Sequence, residues 1–169
     1  MYVRNDALRR KHIRLSPDRY ADPASVVSVI VAVRDRNPIF GNAAFSCACH
    51  RALCGYFEQR HITVFAWVLM PDHAHFCLSP HVDHSVMQVI SDIKQSTTRI
   101  AWSHGIQGQI WQRSFYDHFL RLDEDIEAVC RYIWMNPVRK GICAAPELYP
   151  YSGSTVFDWV ALCTARAGM

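Results

Sequence analysis

Apolar positions in this chain recur with two different periods, and the changes of period divide it into elements. Ser25 to Val33 is dense in Val and Ile and reads as a strand, closed by a turn at Arg34-Asp35-Arg36-Asn37-Pro38. Asn42 can cap a helix over Ala43 to Gln59, with Phe45, Cys49, Leu53, Tyr56 and Phe57 at helical spacing. Ile62 to Leu69 and Ala74 to Leu78 read as two strands joined by a tight Pro71-Asp72 turn, a hairpin. Asp83 is placed to cap a long helix over Ser85 to Ser103. Its buried stripe would be Val86, Val89, Ile90, Ile93, Thr97, Ile100 and Ala101. Phe115 to Leu120 reads as a fourth strand. Asp123 then caps a last helix, with Glu124 and Asp125 favourable in its first turn, and that helix should stop before Pro137. The tail, with Pro146, Pro150, Tyr151 and Trp159, carries no clear period.

The order is strand, helix, strand, strand, helix, strand, helix. The first six elements match an α+β, ferredoxin-like βαββαβ arrangement: an antiparallel sheet with helices on one face. The seventh is an added C-terminal helix. Residues 1–24 read as a basic N-terminal arm, 25–145 as the domain, and 146–169 as a C-terminal tail packed on or near it. In this topology a central strand carries His73-Ala74-His75.

A chain of 169 residues suits one domain with a sizeable core. Half of its residues are hydrophobic and a fifth are charged, the balance of a soluble globular protein. No apolar run approaches the roughly 20 residues of a membrane helix. The first residues, Met1-Tyr2-Val3-Arg4-Asn5-Asp6, lack an apolar signal core, so a cytoplasmic protein with reduced cysteines is expected and no membrane partner. Net charge is only +3, but Arg far outnumbers Lys, and Arg4, Arg9, Arg10, Lys11, Arg14 and Arg19 crowd the first twenty residues. Guanidinium pairs with phosphate in bidentate fashion, so an Arg-rich arm is consistent with a nucleic-acid partner; an ordinary solvated segment would look the same.

Candidate chemistry centres on His73 and His75. Residues i and i+2 of a strand share a face, so both imidazoles can offer a nitrogen to one divalent cation. Partners lie on the last helix, where Ile126, Val129, Cys130 and Ile133 form the buried stripe. Tyr132 lies roughly 100° from the centre of that stripe, at its edge, with Asn136 one turn on. Two imidazoles, the Asn136 amide oxygen and open positions would suit Mg²⁺ or Mn²⁺ beside a phosphate. Such an ion can polarise a phosphodiester, the help a tyrosine nucleophile needs.

Val68-Leu69-Met70-Pro71-Asp72-His73-Ala74-His75-Phe76 resembles the HUH motif of single-tyrosine transposases. Three more segments extend the likeness: Arg34 to Phe40, Trp111-Gln112-Arg113-Ser114-Phe115-Tyr116-Asp117-His118, and Tyr132-Ile133-Trp134-Met135-Asn136-Pro137-Val138-Arg139-Lys140-Gly141. Tyr149-Pro150-Tyr151-Ser152 completes the set. The nearest branch is the REP-associated tyrosine transposases. The resemblance implies a ferredoxin-like domain whose added helix is the catalytic one. It also implies binding of single-stranded DNA with hairpins, nicking beside the hairpin, a covalent 5′-phosphotyrosine link and rejoining of strands. It makes Tyr132 the nucleophile, His73 and His75 metal ligands, and Asn136 the third ligand. Trp134 stands where the branch commonly carries His, and Asp72 replaces the usual Asn.

Arg9, Arg10, Lys11, Arg14, Lys94, Arg99 and Arg113 are expected to contact the single-stranded or hairpin DNA partner. Trp111, Phe115 and Tyr116 could stack on unpaired bases, though core packing should claim at least two of them. His118 could pair with Asp117 near the cleft. Cys47-Ala48-Cys49-His50, with Cys54, lacks a second ligand pair and reads as an amphipathic helix rather than a zinc site. The alternative to an enzyme is a domesticated hairpin-DNA-binding protein that has lost turnover. Monomer and homodimer are both compatible with the sequence.

Overall fold

The structure is a computed structural model and describes residues 16–81 and 83–164. The Arg9, Arg10, Lys11 and Arg14 positions therefore lie outside the described residues.

The core is one antiparallel sheet. Its first four strands are β1 (Val27–Ala32), β2 (Val64–Met70), β3 (His73–Leu78) and β4 (Tyr116–Phe119). A fifth, β5 (Ser152–Gly153), comes from the tail, and the strand order is β4-β1-β3-β2-β5. The first four strands lie in the order expected of the βαββαβ arrangement, with β3 at the centre. Pro71-Asp72 closes the β2–β3 hairpin, and Pro71 and Asp72 also accept backbone hydrogen bonds from Phe40 and Val33.

Helix α1 (Ala43–Gln59) begins at Asn42, whose side chain accepts a hydrogen bond from the Phe45 amide at 3.0 Å. Helix α2 (Val86–Ser103) is capped by Ser85, not by Asp83. Helix α3 (Ile126–Trp134) is capped by Asp125, not by Asp123. Both caps sit two residues later than expected because several neighbouring polar residues could serve, and tertiary contacts decide which one does. Helix α3 stops before Pro137, as expected. The chain breaks at Met135 and restarts as the short α4 (Asn136–Arg139), with Pro137 in its first turn, where a missing amide is tolerated. A last helix, α5 (Trp159–Thr164), follows.

Alternation along each strand sends side chains to two separate cores. Ala74, Phe76 and Leu78 join Val27, Val29, Val31 and Leu69 under α1 and α2. Ala66, Val68, Met70 and Cys77 pack on the other face with Cys130, Ile133 and Trp134 of α3. The added helix thus covers the face that α1 and α2 leave open. Hydrogen bonding to Cys77 and burial both raise the pKa of the Cys130 thiol. Two tail contacts hold the α3 side to the sheet: the Trp134 indole donates to Gly153 O at 3.0 Å, and the Tyr149 hydroxyl donates to Leu69 O at 2.5 Å. Trp134 is therefore a fully buried structural link, which accounts for an indole at that position.

Candidate active site

His73 and His75 project from β3 on the face that α3 covers, opposite Met70 and Val68 of β2. Their rings meet edge to face, with the two Nε2 atoms 3.0 Å apart. Asp72 Oδ1 lies 2.6 Å from His73 Nδ1 and accepts a hydrogen bond from it, which directs His73 Nε2 toward its neighbour. The second oxygen of Asp72 accepts from the Arg36 guanidinium at 3.3 Å. Burial tends to raise the Asp72 pKa. The hydrogen bond and charge of His73 and the Arg36 guanidinium outweigh that and leave it lowered.

Arg36 reaches this position from a loop in which Asp35 and Arg36 both have positive φ, 56° and 55°. Two successive non-glycine residues in the left-handed region are uncommon and store strain. The expected turn at 34–38 is thus a loop that aims a guanidinium at the His pair. No period in the sequence signals it.

His75 is 6% exposed, and its pKa is lowered from 6.5 to about 3. Burial is the leading cause, followed by electrostatic interaction with His73, Arg139 and Arg36, against the pull of Asp72. The ring is neutral and keeps a lone pair for a ligand at ordinary pH.

Helix α3 and its continuation supply the other side. Tyr132 is 59% exposed, as the edge position on the stripe required. The Arg139 guanidinium lies 3.7 Å from the centre of its ring. Arg139 also donates to Asn136 Oδ1 at 2.8 Å, and Asn136 Nδ2 donates to the carbonyls of Ile133 (3.0 Å) and Tyr132 (3.2 Å). Asn136 is buried, and its amide serves first as a local cap. Its oxygen keeps a second lone pair. Arg139 is thus in contact with both Tyr132 and Asn136, and its charge acts on His75.

The donor set fits a small divalent cation in part. Two nitrogens 3.0 Å apart subtend about 90° at an ion about 2.1 Å from each, the angle between adjacent ligands of an octahedral ion. Among the described residues no cluster of three or more His, Cys, Asp or Glu side chains surrounds a common point. Any further ligands would have to be an amide oxygen, water or phosphate.

Lys94, Arg99 and Arg113 come together. They line one groove of about 540 Å³ between α2 and the 108–113 loop, together with Trp102, Gln95 and Gln109. Lys94 is partly committed there, donating to the carbonyls of Gln112, Arg113 and Ser114. Of the three aromatic candidates, Trp111 and Phe115 are core residues, and Tyr116 is 59% exposed. Register puts Tyr116 in one row with Ile30 and His75. His118 pairs with Glu124 at 2.9 Å rather than with Asp117, which accepts from Tyr20 instead. The geometry adds Arg36 as a neighbour of the His pair.

The sequence model of the family described as "Transposase IS200 like" matches residues 24–136, from just before β1 to Asn136. The chain belongs to the IS200-like transposases. Two curated relatives carry the name REP-associated tyrosine transposase. The one from Haemophilus influenzae is 30% identical over 116 residues, 62% of this chain and 64% of that protein. The one from Escherichia coli is 30% identical over 96 residues, 56% of each. The match therefore spans less than two thirds of either relative. A solved structure of a REP-associated tyrosine transposase bound to a REP hairpin superposes with a TM-score of 0.63 at 24% identity, covering 79% of both chains, and shares the fold. The IS200-like match closes at Asn136, so Arg139, β5 and α5 lie beyond it.

Proposed function

We propose that this IS200-like transposase is a metal-dependent, single-tyrosine enzyme that nicks and joins hairpin-forming single-stranded DNA. The observation that carries the reading is the His73–His75 pair, with Nε2 atoms 3.0 Å apart on the sheet face covered by the helix that bears the exposed Tyr132. The likeness to REP-associated tyrosine transposases, one of them solved with a REP hairpin, supports a DNA hairpin as the partner.

In this reading His73 and His75 would hold Mg²⁺ or Mn²⁺, with the second lone pair of the Asn136 oxygen as a further donor, and the bound ion would supply Lewis-acid polarisation of the scissile phosphodiester. Tyr132 Oη forms a bond to phosphorus as the bond to the 3′ oxygen breaks. The phenol proton passes to solvent water, the departing 3′ oxygen takes a proton from solvent and ends as a hydroxyl, and the 5′ phosphate stays on the tyrosine. Attack by a DNA hydroxyl on the phosphotyrosine reverses the exchange and reseals the strand. Arg36 would add positive charge where a phosphate enters, and Asp72 would keep His73 Nε2 turned toward the metal position. Trp102, Arg99 and Arg113 line a groove suited to an unpaired stretch of the DNA.

The test mixes the protein with end-labelled, single-stranded hairpin DNA from repeats flanking its gene, with Mn²⁺ or with chelator, on a denaturing gel. The expected result is a shifted covalent band that needs metal and is lost in Tyr132→Phe, while native-gel binding persists. Normal cleavage by Tyr132→Phe, or a band that survives full chelation, overturns the reading. Binding without a band under any divalent metal would favour a non-catalytic hairpin-binding protein.

A further inference from the structure

We propose that Arg139 is the positioning residue for the attacking phenol, an inference that rests on Tyr132 being the nucleophile. The argument starts at Pro137. It has no amide hydrogen, so the Ile133 carbonyl loses the donor that would continue the helix. Asn136 replaces it: its Nδ2 donates to Ile133 O at 3.0 Å and to Tyr132 O at 3.2 Å. These bonds, with burial, fix the amide, and its Oδ1 then faces the one donor that reaches it, Arg139 Nη2 at 2.8 Å. The guanidinium carbon so held sits over the Tyr132 ring, 3.7 Å from its centre.

Tyr132 needs such a restraint. It is 59% exposed near the end of a helix, and among the described residues its hydroxyl makes no hydrogen bond. A free phenol there would sample several rotamers, each misplacing the oxygen by ångströms, and misplacement of about 1 Å can cost about a hundredfold in rate. The chain of contacts runs from the helix backbone through Asn136 and Arg139 to the ring. It leaves the hydroxyl unobstructed and restrains only the face of the ring. Lysine could not do the same, because an ammonium has no plane to lay on the ring while bonded to an amide.

The test measures single-turnover formation of the covalent adduct with Mn²⁺ and saturating hairpin DNA, alongside hairpin Kd and thermal melting, for wild type, Arg139→Ala and Arg139→Lys. Arg139→Ala is expected to slow adduct formation roughly tenfold, the size of a cation–π restraint of about 1.4 kcal/mol, with Kd changed by about twofold or less. Arg139→Lys should recover little of the rate. Millimolar methylguanidinium should speed the Ala variant and leave wild type unchanged, which a purely structural role would not produce. The inference is overturned if Arg139→Ala forms adduct at the wild-type rate, if rate and hairpin affinity fall by the same factor, or if Arg139→Lys matches wild type. Should Arg139→Ala fail to fold by its melting curve, the Lys variant decides. A wild-type protein that forms no adduct at all refutes the nucleophile itself, a different failure from an adduct whose rate ignores Arg139.

Discussion

A neutral imidazole at position 75 follows from where the chain places it: under α3, next to a second histidine, with two guanidinium groups nearby. The consequence for stability has a definite sign. The folded ring has its pKa lowered to about 3, against 6.5 when unfolded. Between those values the unfolded chain binds a proton that the folded chain refuses, so stability present above about 6.5 is lost as pH falls toward about 3. Melting should therefore fall between pH 7 and pH 4, by at most about 3–5 °C per pH unit from this group. His75→Asn should flatten that dependence in a melting series; an unchanged slope would mean that other groups dominate acid unfolding. The shared strand face of His73 and His75 and the one-turn spacing of Tyr132 and Asn136 were legible in the sequence, and the family resemblance supplied the roles proposed for them. Arg36 was not, because its position depends on two left-handed residues that no periodicity announces. The ring contact of Arg139 was hidden for a similar reason: it depends on the side-chain bonds formed around the helix break at Met135.

Secondary elements divide by the length of their signal. The β2–β3 hairpin and helix α1, with its Asn42 cap, span enough residues for alternation or helical spacing to be unambiguous. The fifth strand spans only Ser152–Gly153, too short for any period, and exists because β2 offers it an edge. Its place is enforced by a close approach: a Cβ on Gly153 would overlap the buried indole of Trp67. Gly153→Ala should therefore destabilise the fold by about 1–3 kcal/mol. Urea unfolding monitored by circular dichroism measures this, and a variant as stable as wild type would show that β5 can lift away without loss. Because Trp134 donates to the carbonyl of the same glycine, the loss should also loosen the seat of α3.

At the scale of the whole molecule, the sheet separates two cores. The helix bearing Tyr132 lies on one face, and the groove with Arg99 and Arg113 is built from α2 and the 108–113 loop on the other side. On the proposed reading, Arg99→Gln and Arg113→Gln should weaken hairpin binding and each reduce the slope of log K against log salt by about one. The adduct rate at saturating DNA should stay at the wild-type value. A loss of chemistry in these variants, measured in single turnover, would mean that the groove and the His pair are not separable.

On the proposed reading, a sheet with its catalyst on one face and its grip on the other could change one without disturbing the other. A descendant chain could drift to a new repeat by surface substitutions around α2, while every hydrogen bond from Arg139 through Asn136 to the carbonyl of Tyr132 stayed as it is. Recognition and reaction would then be inherited as two separate traits carried by a single domain.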